Sequence, residues 1–234
     1  MNARCLPLIA VVVCLSGCVI ETSRGPTRHE SRSIERESIQ RLSVNLNIGA
    51  GDLRIRGGAQ KLAQADFTYN VDAWKPEFQY EGTGSHGNLT ISQPGHNHSH
   101  IGSIRYEWNL ALNNDIPVDL IMHFGAGEAQ LDLGSLALRS VEVEMGVGQL
   151  QMDLRGRPKH DYDVHIRGGI GEATVRLPGT VGVWAEGSGG IGEIRAEGLR
   201  RVGSHWVNDA YEDSKTRIHV DVRGGIGSIK LISD

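Results

Sequence analysis

From Leu42 onward the chain alternates apolar and polar residues with a period of two, broken at regular places by glycine. Gly51, Gly127, Gly148, Gly171, Gly192 and Gly227 serve as anchors for the pattern. Two, four and six residues after Gly127 come Ala129, Leu131 and Leu133; after Gly148 come Leu150, Met152 and Leu154; after Gly171 come Ala173, Val175 and Leu177. Seven and five residues before the anchors stand Val44 and Leu46, Leu120 and Met122, Val141 and Val143, Val164 and Ile166, and Val220 and Val222. Period-two alternation marks a strand with one buried face, so the unit reads as strand, glycine turn, strand. Only Gly192 is irregular, with Ala185 and Gly187 in the upstream positions.

From Gly127 onward the anchors lie 21, 23, 21 and 35 residues apart. A period near 21 is too short for a propeller blade and fits one rung of a solenoid. The reading is therefore an all-β fold, a single-stranded β-helix with glycine-cornered rungs of about 21 residues. In-register stacking would bring Leu131, Met152 and Val175 together, with Asp153 facing solvent. The long last interval predicts one rung plus a loop within Leu199 to Lys215, carrying Trp206 and Tyr211. The alternative is antiparallel, each unit a hairpin in a β-roll or sandwich. Between Ala59 and Pro117 the alternation is looser but present at Phe67, Tyr69 and Val71, at Phe78 and Tyr80, at Leu89 and Ile91, and at Trp108, Leu110 and Leu112. These are further strands, forming a broad core or an irregular cap.

The ordered series Gly-Ala-Gly followed by Leu53-Arg54-Ile55, then Trp108-Asn109-Leu110-Ala111-Leu112, Pro117-Val118-Asp119-Leu120, and Gly125-Ala126-Gly127 ahead of Leu131-Asp132-Leu133 resembles the toast-rack domains of bacterial cell-envelope proteins. It is also similar to the C-terminal β-domain of the cell-wall-active antibiotic response proteins. The resemblance runs from about Leu42 onward. It implies a single-stranded β-helix, brings no catalytic residues with it, and carries the expectation of an envelope location.

The first residues differ in character. Arg4 precedes an apolar run from Cys5 to Leu15, and Ser16-Gly17-Cys18 follows. This is a charged n-region, an 11-residue h-region and a small-residue cleavage site, too short to span a bilayer, which takes about 20 apolar residues. Leu15-Ser16-Gly17-Cys18 resembles the lipobox of bacterial lipoproteins, which implies lipidation of Cys18 as the mature first residue. Val19, where an aspartate would signal retention, implies an outer-membrane or periplasm-facing site in a Gram-negative cell. An ordinary signal peptide or a short anchor, with Cys18 incidental, is the alternative. The organisation expected is a signal peptide at 1–17, a polar tether at 18–41 whose second half has some helical tendency, and the β-solenoid at 42–234. The tether is too polar to fold alone.

Glycine numbers 31 of 234 residues, about twice the usual 7%, with no collagen period; this disfavours helices. A net charge of −4 argues against a general nucleic-acid binder held by phosphate contacts. All three cysteines precede residue 19. Gly187-Ser188-Gly189-Gly190-Ile191-Gly192 matches a dinucleotide fingerprint, but a strand rather than a helix follows it, and Gly-Gly-Ile-Gly recurs at Gly168 and Gly224. It reads as a stacked turn. His96, His98 and His100 alternate and could project three imidazoles to one side for zinc, nickel or copper; a solvated polar loop is the plainer reading. Asp119, Glu142, Asp163 and Asp221, with Glu128, Asp132 and Glu172, recur at outward positions. Paired carboxylates of this kind serve glycan hydrolysis, and solvent-facing strands look the same. Arg167 and Arg223 stand in equivalent rungs, either as an anion-binding pair or as charges guarding an edge.

The expectation is a non-catalytic, lipid-anchored envelope protein with a structural or binding role, without cofactor, whose partners are the membrane and an envelope protein or glycan. A regulatory partner in envelope-stress sensing and a glycan-active enzyme are the alternatives. A concave row of carboxylates and aromatics would favour the enzyme; a flat polar face with apolar ends would favour binding.

Overall fold

Six long strands carry the repeat: β2 (Arg41–Arg56), β7 (Val118–Asp132), β8 (Leu138–Asp153), β9 (Tyr162–Leu177), β10 (Gly182–Glu197) and β13 (Arg217–Ser233). In this computed structural model, which describes residues 26–36, 38–94 and 104–234, each strand runs through its anchor glycine without ending. The corner bends the strand into two arms. Neighbouring strands pair in parallel with the corners in register: Gly51 beside Gly127, Gly127 beside Gly148, Gly148 beside Gly171. The hairpin alternative fails for these rungs, because the two arms of one unit pair with other rungs and not with each other. The fold is the all-β solenoid with parallel rungs that the repeat predicts.

The arms face each other across the core. Leu131, Met152 and Val175 are paired in register and almost fully buried, as expected. The inward positions of both arms form one apolar core, from Leu42, Val44 and Leu46 through Val220, Val222 and Leu231. At the corners the anchor glycines adopt φ of +132 to +147°. At Gly171 a Cβ would also stand 1.8 Å from the Gly148 carbonyl oxygen. Stacked rungs thus require glycine there for both dihedral and contact reasons.

Sequence order and stacking order part company at the far end. After β9 the next strand in space is β13, and β10 lies outside it: Gly171 adjoins Gly227, and Gly227 adjoins Gly192. The interval of 35 residues contains a small hairpin, β11 (Arg200–Val202) and β12 (His205–Val207), which pairs with Trp184–Glu186 of β10. It places Trp206 within 3.4 Å of where a side chain on Gly187 would begin. That explains the irregular rung: Ala185 and Gly187 are small because Trp206 packs beside them.

The near end is capped differently. β3 (Ala63–Tyr69) and β6 (Tyr106–Leu112) extend the second arm beside β2, and β4 (Glu77–Thr83) and β5 (His86–Ser92) extend the first. Their aromatics pack edge to face, Phe67 on Trp108 with centroids 5.4 Å apart and Phe67 on Phe78 at 6.4 Å. The stretch Arg28–Ile34, expected within a tether whose second half has some helical tendency, is strand β1, antiparallel to β3. Its polar side chains pair across to the neighbouring strand, Ser31 donating to Asp66 at 2.5 Å, so a sheet edge organises what the segment could not organise alone.

Candidate functional site

The corner is the surface on which the rungs differ most. The residue between its two glycines points to solvent, and the six such positions are in register: Ala50, Ala126, Val147, Ile170, Ile226 and Ile191, in spatial order. Val147 is 50% exposed, Ile226 49%, Ile170 53% and Ile191 70%. This ladder of apolar side chains grows from alanine to isoleucine along the stack. Large aliphatic side chains exposed in one row form a contiguous apolar strip, a feature uncommon on a polar protein surface.

Beside the ladder, four residues ahead of each anchor, runs a polar row: Asn47, His123, Glu144, Arg167, Arg223 and Ser188. Glu144 sits between His123 at 3.0 Å and Arg167 at 3.2 Å. Arg223 donates to Asp221 at 2.8 Å. Arg167 and Arg223 are adjacent in register, as expected of equivalent rungs, and each is held by a carboxylate of its own.

The outward carboxylates do not converge. Asp119, expected in solvent, is buried and engages Arg41 at 2.5 Å, Ser140 at 2.9 Å and Arg139 at 3.6 Å. Asp119 keeps its outward place in the alternation, and the side chains of Arg41, Arg139 and Ser140 from the neighbouring rungs cover it. Asp221 and Asp163 lie near His165 and His219, at 3.9 and 3.8 Å. Glu142 faces Ile121 and His165, and Glu128 faces Gln149. Asp132 stands in register between Arg56 and Asp153, and Glu172 between Gln149 and Ser228. Among the described residues no three histidines, cysteines or carboxylates form a group able to hold a metal. Asp153, expected to be free, accepts from the Arg155 backbone at 2.9 Å and its guanidinium at 2.6 Å; those bonds hold its carboxyl below the usual range. The Gly187–Gly192 segment continues as strand to Glu197 and does not precede a helix. Cys18, His96, His98 and His100 lie outside the described residues.

Two features escaped the repeat. Trp184 stacks between His205 and His219, at 5.0 and 5.1 Å between centroids; only the unforeseen rung order joins them. The second is a slot inside the corner. Three residues ahead of the anchor the first three rungs bury Ile48, Phe124 and Met145, and the last three have Gly168, Gly224 and Gly189. Without side chains there, an apolar cavity of about 100 Å³ opens between the arms. Aligning the repeat at this position, and not only at its alternating ones, exposes the signal.

A crystal structure of a candidate cell adhesion protein from Clostridium sporogenes is 36% identical, covering 89% of this chain and 100% of that one, with a TM-score of 0.87. A candidate adhesin from Bacteroides fragilis is 10% identical over 87% of this chain and 97% of that one, with a TM-score of 0.31. The curated proteins include no match. Residues 23–176 match the N-terminal domain of toast-rack, DUF2154. With well over half its length matched and its glycine corners stacked in register, the chain belongs to the toast-rack family.

Proposed function

We propose that this protein is a lipid-anchored component of the bacterial cell envelope with a non-catalytic binding role, the corner ladder being its contact surface. The observation that carries this reading is the ladder itself: four large aliphatic side chains, each about half exposed or more, aligned on an otherwise charged stack. The similarity to a candidate cell adhesion protein supports it. The leader supports the anchor, since Leu15-Ser16-Gly17-Cys18 follows an apolar run of the right length. Three acyl groups would hold such a protein durably, where one chain alone binds marginally.

Two measurements test the two halves separately. Cys18→Ala releases the protein from membranes or stalls its processing; a variant processed and retained like the parent overturns the anchor. Replacing Ile170, Ile226 and Ile191 together by serine leaves the fold intact, since these side chains point outward. In the Cys18→Ala background it abolishes the binding that remains to isolated envelopes; equal binding with and without the three serines overturns the ladder as the contact surface.

A further inference from the structure

The Gly-Gly-Ile-Gly corners contain glycines of two kinds. The second and fourth are imposed by the stack: a Cβ on Gly169 would lie 2.4 Å from a neighbouring carbonyl oxygen, and on Gly171 1.8 Å. The first is not imposed. A Cβ on Gly168 would meet nothing nearer than 4.0 Å, on Gly189 nothing nearer than 3.9 Å, and on Gly224 only the flexible end of Ile229 at 3.2 Å. None of the three has a left-handed dihedral. The equivalent positions of the other rungs hold Ile48, Phe124 and Met145, all buried. Three successive rungs therefore omit a side chain that the fold can hold.

The result is the slot of about 100 Å³. Ile166 and Val222 line it from one arm, Ala173, Ile229 and Ile194 from the other, and Met145 closes its inner end. It runs along the stack for about 10 Å, the span of three rungs. It opens past Gly189, where among the described residues the second arm of β10 has no further strand beside it. The rim residues Arg223 and Glu193 are occupied, by Asp221 at 2.8 Å and Arg195 at 2.7 Å. The remaining charge at the rim, Glu172, is exposed, so no buried polar group calls for a polar ligand. A cavity of about 150 Å³ lined by aliphatic side chains takes benzene; this one, narrower and elongated, suits four or five methylenes in a row.

We propose that the slot binds the end of one unbranched alkyl chain, the rest of the ligand leaving past Gly189 along Ile191. Ile170, Ile226 and Ile191 of the ladder also border the slot, but the site itself is made by the side chains missing at Gly168, Gly224 and Gly189 and goes beyond the contact surface proposed above.

The test uses the full chain carrying Cys18→Ala, which needs no detergent if Cys18 is lipidated and is unaltered in the solenoid if it is not. Calorimetric titration with octanoate and with octan-1-ol should show saturable one-site binding of both. Adamantane-1-carboxylate, a cage too wide for the slot, should not bind. Gly168→Met or Gly224→Met supplies the side chain that Met145 supplies one rung earlier. Each should displace about two methylenes, weaken octanoate roughly tenfold, and leave the melting temperature unchanged or raised. Gly168→Ala, with open space for its methyl, gives an intermediate loss and guards against misfolding of the larger variants. Failure of both linear probes, equal uptake of the cage, or full binding by folded methionine variants would each overturn the proposal. So would a dimer that the methionine variants dissociate, because the slot would then hold a second copy.

Discussion

Met152 and Asp153 are neighbours in sequence and opposites in environment. Met152 is 1% exposed between Leu131 and Val175, so Met152→Asp buries an unpaired carboxylate and should cost several kcal/mol, read as a collapse of the urea midpoint. Asp153→Ser should cost about 1 kcal/mol, because it frees the Arg155 backbone amide and guanidinium together. That is more than an exposed position would lose. Arg155 also reaches Asp234 at 3.3 Å, so one guanidinium links the end of β8 to the residue that follows β13. Because these bonds lower the Asp153 pKa, its contribution is present above the unfolded carboxylate value near 3.9. It is lost as pH falls through the lower folded value. Melting temperatures of parent and Asp153→Ser should therefore converge toward pH 2 and separate above pH 5.

The bent strand is the element on which the fold depends, and its corner separates glycines that must be glycine from those that need not be. Gly171→Ala should be severely destabilising, its methyl colliding with the Gly148 carbonyl at 1.8 Å and its φ of +145° strained. Gly168→Ala should be neutral or slightly stabilising, since its methyl meets nothing and the unfolded chain loses freedom. Chemical denaturation of the pair decides it. The alternation of Val141, Val143, Leu150 and Met152 is readable from sequence because the core has two faces and the strand a period of two. The order of the last rungs is not: β10 and β13 carry the same corner motif, and local pattern cannot say which of them touches β9. The burial of Asp119 was equally hidden, because the Arg41, Arg139 and Ser140 side chains that cover it come from neighbouring rungs. Strand β1 was illegible for a third reason, its polar residues being ordered only by the neighbour they pair with.

At the scale of the molecule, a stack needs its ends closed, and the two ends use different means. The near end is broad and aromatic, with Trp108 and Phe67 at its centre. The far end relies on one short hairpin and the indole of Trp206, with Arg201 over its ring at 5.7 Å. Trp206→Ala should cost about 2 kcal/mol, and hydrogen exchange should then quicken first in β10, before β7 or β8 is affected. Uniform quickening along the stack would show that the rungs open as one unit.

The displaced position of β13 has a consequence in time. A ribosome completes β10 before it makes β13, yet β10 has no long parallel neighbour until β13 arrives between it and β9. The last rungs therefore cannot be added one after another as the chain emerges. β9 must hold an open edge while more than 35 residues are synthesised, and during that wait the Gly-Gly-Ile-Gly corner of β10 can seat on β9 in the place that belongs to β13. Of the two competitors only β13 carries Val220 and Val222 where β10 has Ala185 and Gly187. The larger side chains fill the space against Val164 and Ile166, so β13 buries more apolar surface on β9 than β10 would in the same place, and the late strand outcompetes the early one.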